Sequence, residues 1–307
     1  MSYSDEALIF QKIPVDHQVR LEDRVSYLYL EYSRIHQTRT GVVASIEVED
    51  EEREKVIPLA VGGIALLMLG PGTSITHAAL ASCARAGTTV LVTGGGGMPC
   101  YTHATPLTTS SRWAIAQARL IADDELTRRA ALTLYGKQLG KELPDTLGIR
   151  QMRGIEGRII RQRYRELALA NGVSGFRRDT KAEDPVNQAL NLVHGTLYGC
   201  AASACSALGV NPALGIIHRG DQRSLLFDLA DIYKPTLSMP IAFQAANEAQ
   251  PLEYARKTLR QQLYKKRVLG EMLRTLMELF TPLLPSTEGD RLIDDDGDVA
   301  GHKQYGR

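Results

Sequence analysis

At 307 residues, 44% hydrophobic and 23% charged, the chain has the composition of an ordinary folded protein, long enough for one large domain or two smaller ones. It has no run of about 18 apolar residues, which argues against a spanning helix, and its start lacks the basic-then-apolar pattern of a secretory leader. The net charge of +1 conceals segregation: residues 112–165 hold twelve Lys/Arg against six Asp/Glu, and 256–267 hold six basic residues and no acid.

From Arg24 to about residue 104 the sequence reads as mostly β. "RVSYLYLEYSRIHQ", "GVVASIEVED", "KVIPLAVGGIALLMLG" and "TTVLVTGGGG" are strand candidates. Between them, "SITHAALASCARAG" has a Ser/Thr start, good helix formers and a Gly stop, the pattern of one short helix. Pro, Thr and Ser accumulate at 102–110, a natural hinge. Beyond it the apolar period becomes helical in "RWAIAQARLIADDELTRRAALTLYGKQLG", "GIEGRIIRQRYRELALANG", "PVNQALNLVHGTLYGCAASACSALG" and "EYARKTLRQQLYKKRVLGEMLRTLMELF". The fold class expected is α+β, with an N-terminal β domain over 1–104 and an all-α catalytic domain over 105–285. Residues 286–307, polar and acidic, are expected to be disordered.

The four cysteines, Cys83, Cys100, Cys200 and Cys205, form no CxxC. Cys200 and Cys205 sit in a helical pattern that suits buried thiols better than a disulfide framework, which points to a reducing cytoplasm. "GGGG" at 94–97 is followed by Met98 and Pro99, so it matches neither a Walker loop nor the dinucleotide fingerprint and reads as a turn. No GxSxG nucleophile context exists. His77 reads as a first-turn residue, and His36 and His194 as structural histidines.

Two stretches carry chemistry. In "MRGIEGRIIRQRYREL", Glu156 lies among arginines, which fits ordinary intrahelical ion pairs. Gly154 and Gly157, however, cost helix propensity and leave room for a ligand to approach the carboxylate. In "GIIHRGDQRSLLFDLAD", Asp228 and Asp231 are three apart on one helix face, and His218 precedes a tight turn at "RGDQRS". That stretch fits a divalent-metal site but, taken alone, fits a turn with helix caps better. Carboxylates with one imidazole suit Mg²⁺ or Mn²⁺.

Taken together and in this order, "RGIEG" and "GIIHRGDQRSLLFDLADIYKP" resemble the glutamate, histidine and aspartate motifs of the CRISPR-associated integrase of spacer acquisition, the "Cas-one" family, in its type I-E branch. "DRVSYLYLEY", "GPGTSITHAA" and "NQALNLVHGTLYG" resemble further stretches of that branch. The resemblance implies that Glu156, His218 and Asp231 are catalytic ligands of Mg²⁺ or Mn²⁺, with Asp228 supporting them. It implies that Arg153, Arg161, Tyr164 and Arg256 line a DNA path, and that Tyr32 braces a splayed DNA end. It also implies a homodimer that assembles with a dimer of a small "Cas-two" partner. Ser74 and Pro99 stand where relatives can carry arginines and Asp221 where one can carry a lysine; Arg219 and Arg223 are candidates to restore that charge.

The reaction implied is attack of a DNA 3′-hydroxyl on a phosphodiester of the repeat array, with basic helix faces gripping phosphate. A stand-alone metal nuclease and a non-catalytic DNA-binding scaffold are the alternatives.

Overall fold

The computed structural model describes residues 19–25, 27–46, 54–97, 100–106, 110–285, 291–294 and 297–300, the last two segments by their backbone. The front part is β-rich and the rear helical, an α+β fold. The front strands are β1 (Leu28–Leu30), β2 (Ser33–Thr38), β3 (Gly41–Ile46), β4 (Lys55–Leu59), β5 (Leu66–Leu69), β6 (Ser74–Ile75), β7 (Thr89–Thr93) and β8 (Cys100–Ala104). One sheet has the order β1-β5-β7-β8, and the other β4-β3-β2-β6. Pro58, which has no N–H to donate, sits on β4 at the edge of its sheet, where a missing ladder donor costs least.

The expected single strand "RVSYLYLEYSRIHQ" is split between the two sheets. Tyr32, at φ +48°, breaks it, and its N–H donates to Pro71 O at 2.9 Å. A Cβ at Gly72 would lie 2.6 Å from Tyr32 Cδ1, so the ring rides over that glycine. The expected helix is α1 (His77–Arg85), capped by the Thr76 hydroxyl, which accepts the Ala79 N–H at 3.3 Å.

The rear helices are α2 (Arg112–Ala122), α3 (Asp124–Leu139), α4 (Ile149–Ala170), α5 (Pro185–Leu208), α6 (Ser224–Asp231), α7 (Met239–Ala245), α8 (Pro251–Lys265) and α9 (Val268–Phe280). Two expected long helices are each broken. Asp123 ends α2 and caps α3 by accepting the Leu126 N–H at 2.8 Å, and Arg267, at φ +47°, separates α8 from α9.

α5 is apolar around most of its circumference and forms the centre of the core. Its buried His194 is satisfied by Ser238 Oγ at 3.0 Å, as a structural histidine should be. A Cβ at Gly199 would fall 2.5 Å from Leu66 Cδ2 and 2.8 Å from Leu91 Cδ1, so the first sheet presses directly on this helix. Along β5, Leu66 and Met68 enter the core shared with α5, while Leu67 and Leu69 enter the core between the sheets and α1.

In the tail, expected to be disordered, β9 (Arg291–Asp294) pairs antiparallel with β10 (Gly297–Ala300), with Asp294 opposite Gly297. The stretch "RLIDDDGDVA" is dominated by acids and has no clear two-residue alternation, so the pairing was not legible in the sequence. At the expected hinge, β8 ends at Ala104 and α2 begins at Arg112; residues 107–109 lie outside the described set.

Candidate active site

α4 enters the site with two glycines that packing does not demand. A Cβ at Gly154 would meet nothing within 4 Å, and one at Gly157 would reach only Arg161 Nη1 at 4.0 Å. Between them on the helix stands Glu156. This carboxylate looks into a cleft of about 170 Å³ whose other walls are Leu134, Tyr135 and Gln138 of α3, Arg153 of α4, Ile217 and His218, and Asp228 and Asp231 of α6. Gln138 Nε2 donates to Glu156 Oε1 at 3.3 Å. Burial, and then the Asp231 charge, raise the Glu156 carboxyl above its usual range.

Asp228 organises the loop that carries the histidine. It is 1% exposed. Its Oδ2 accepts the N–H of Ile216 at 2.6 Å and of Ile217 at 3.1 Å, and its Oδ1 accepts the His218 N–H at 3.0 Å. The same Oδ1 lies 2.7 Å from His218 Nδ1. With Nδ1–H donated to Asp228, neutral His218 keeps its Nε2 lone pair available. The Asp228 hydrogen bond raises the His218 value above that of an ordinary imidazole. Phe227 packs edge-on to the ring at 5.7 Å between centroids.

Asp231 Oδ1 is buried and receives no regular hydrogen bond; what faces it is the Lys234 ammonium, one helical turn on. Burial is the largest single influence on Lys234 and would lower it, but the Asp231 charge, joined by Tyr198 and by hydrogen bonds to both, holds the lysine above its usual value. A carboxylate oxygen satisfied only by a cation, a second carboxylate that burial penalises, and a free imidazole nitrogen together suit a hard or borderline divalent ion. In this conformation Gln138 and Lys234 engage the two carboxylates, and among the described residues no three His, Cys, Asp or Glu stand close enough to ligate one ion.

The family model described as CRISPR associated protein Cas1 matches residues 133–258, a span that contains every polar residue of the cleft. A CRISPR-associated endonuclease Cas1 of Clostridium sp. (strain SY8519) is 34% identical over 278 residues, 89% of this chain and 90% of that protein. The chain belongs to the Cas1 family. A second relative, CRISPR-associated endonuclease Cas1 2 of Thermus thermophilus, is 34% identical over 304 residues, 94% of this chain and 92% of its own. Among solved Cas1 structures, one described as a TtCas1-DNA complex superposes with a TM-score of 0.78 at 35% identity, over 91% of this chain and all of the other.

Within this Cas1 chain, Glu156, His218, Asp228 and Asp231 share one cleft with Arg153, whose Nη2 donates to Ile217 O at 3.0 Å. The other residues expected along DNA lie elsewhere. Arg161 is exposed further along α4. Tyr164 is half-buried, its ring tilted against Phe176 and Phe243 at 5.3 and 6.2 Å between centroids. Arg256, on α8, bonds Leu252 O through Nε, and its own carbonyl accepts the Tyr27 hydroxyl of the β part. Tyr32 is 69% exposed in the β part.

Arg223 does not restore the charge displaced by Asp221. Its Nε and Nη2 grip the two Asp221 oxygens at 3.0 and 2.9 Å, so the pair is neutral; Arg219 remains exposed. Sequence reasoning missed Lys234, although its three-residue spacing from Asp231 is a readable signal. Tyr135 and Gln138, three apart on α3, carried no signal beyond helical amphipathicity.

No helix among the described residues is long and apolar enough to cross a membrane.

Proposed function

We propose that this chain is a divalent-metal-dependent DNA integrase and endonuclease of CRISPR spacer acquisition, joining 3′-hydroxyl ends of short DNA fragments into the repeat array by transesterification. The observation that carries the reading is the Asp228–His218 arrangement, which frees Nε2 in the same cleft as Glu156 and Asp231. Mg²⁺ or Mn²⁺ bound there would polarise the scissile phosphate and stabilise charge on the attacking or leaving oxygen. Glu156 and Asp231 would hold it by charge, and His218 through a neutral nitrogen fixed in direction by Asp228.

One phosphodiester replaces another, so the reaction needs no nucleotide to supply bond energy. Lys234 and Arg153 place cationic groups at the cleft, suited to steadying the phosphate. Arg161, Tyr164, Arg256 and Tyr32 belong to the DNA path in this reading, and the relative solved with DNA supports a nucleic-acid ligand. The homodimer and the small "Cas-two" partner belong to the same proposal.

The test is a strand-transfer assay with labelled fragment, repeat target and partner, with and without Mg²⁺ or Mn²⁺. Glu156→Ala, His218→Ala and Asp231→Ala should each abolish joined product while leaving much of the DNA binding, which basic residues dominate. Joining at wild-type level in all three overturns the proposal. Cut DNA without joined product, with partner and target present, favours a nuclease that uses water as nucleophile.

A further inference from the structure

A second cavity, of about 310 Å³, lies at the seam between the β-rich and helical parts and shares no residue with the catalytic cleft. Val19, Arg20, Leu21 and Arg24 line one side, Gly87 and Pro106 the next, and the C-terminal turns of α5 close it. Among the described residues, two arginines line this space and no carboxylate does.

Arg24 is the unusual member. It is only 7% exposed, yet it makes no ion pair among the described residues. Its Nε donates to Val19 O and its Nη1 to Gly87 O, both at 2.9 Å, and Nη2 has no hydrogen-bond partner among those residues. A guanidinium offers five donors, and two carbonyls supply neither the remaining acceptors nor the missing negative charge. Burial holds the arginine below its usual value with no opposing charge to lift it, as expected of a cation without a counter-ion.

The neighbouring hydroxyls do not supply acceptors of matching charge. Ser203 and Ser206 spend their protons on the carbonyls of Ala65 and Pro106, at 3.3 and 3.0 Å. A purely structural clip between Val19 and Gly87 would require neither a cavity lined by Arg24 nor a second arginine on the same wall.

We infer that this seam cavity binds a phosphate-type oxyanion, anchored by the free edge of the Arg24 guanidinium and balanced by Arg20. The planar fork of arginine matches two oxygens of such a group. Free inorganic phosphate and a phosphate on a DNA end present the same chemistry. Either would brace the segments after α1 and before α2 against α5, tying the two parts of the molecule together.

The experiment uses the full chain at matched ionic strength. Inorganic phosphate and a 5′-phosphorylated dinucleotide are each titrated by calorimetry into the wild type, Arg24→Gln and Ala207→Leu. The last variant narrows the cavity from α5 without touching the carbonyl bonds of Arg24. Saturable binding of at least one probe, weakened tenfold or more in both variants, is expected. Binding of phosphate alone identifies a free ion, and binding of the dinucleotide alone a nucleic-acid end. Absence of saturable binding, or equal affinity in wild type and variants, overturns the inference. Should Arg24→Gln fail to fold, an unchanged affinity in Ala207→Leu overturns it alone.

Discussion

The Asp228 carboxylate reaches back over the turn that precedes its helix and meets His218 twice, at the backbone N–H (3.0 Å) and at Nδ1 (2.7 Å). Because its other oxygen also takes two backbone amides, the residue shapes the loop as well as the imidazole. Asp228→Ala strands these donors and should cost about 3–5 kcal/mol in denaturant unfolding, the range for removing one partner of a buried charged network. Asp228→Asn retains one acceptor oxygen and should fall between that variant and the wild type.

Glu156 is costly to the metal-free fold. Its carboxyl is raised above the ordinary value of 4.5, first by burial and then by Asp231. For an acid raised in the folded state, stability is greatest below the unfolded value and is lost as pH climbs to the folded one. Glu156→Gln should therefore be more stable than wild type at pH 7 in chelator, with the difference vanishing below about pH 4. Thermal unfolding across that range checks the sign; a destabilised variant at pH 7 contradicts it.

His218 behaves oppositely, since its raised value comes from a partner. The contribution of its pair with Asp228 should be complete below the ordinary value of 6.5 and decline as pH rises through the higher folded value. The stability gap between wild type and His218→Gln, measured without metal, should be widest in mild acid and narrow towards pH 9.

Mn²⁺ should compete with Lys234 for Asp231. A ligand present at a hundred times its dissociation constant stabilises a protein by about 2.7 kcal/mol, so Mn²⁺ should raise the unfolding midpoint of the wild type. Asp231→Asn should abolish most of that rise. An equal rise in both would place the ion elsewhere.

Gly199 marks the tightest approach of helix to sheet. Gly199→Ala would push a methyl to 2.5 and 2.8 Å from two buried leucine ends. The expected loss is roughly 1–3 kcal/mol, the usual cost of overpacking, read from denaturant midpoints.

The sequence made the helical period and the β-rich front legible because apolar spacing survives in any context. For Glu156, His218 and Asp231 the residues alone fitted ion pairs and helix caps as well as a ligand set, and only the family resemblance singled them out. The breaks at Tyr32, Asp123 and Arg267 were hidden because the apolar period runs through all three; Tyr32 is held by Pro71 and Gly72, and Asp123 acts as a cap. The role of Asp228 was legible only as proximity, since its acceptors meet amides ten to twelve residues upstream. The Asp221–Arg223 pair was misjudged because counting charges cannot show that two neighbours neutralise one another.

Leu66 and Met68 look one way from β5, and Leu67 and Leu69 the other, so one short strand is a party wall between two cores. Neither core can open without stripping a face from that wall and wetting the other. The β-rich and helical parts, although distinct in sequence pattern, should melt together in a single calorimetric transition, and a cut between them should yield two pieces that cannot fold alone.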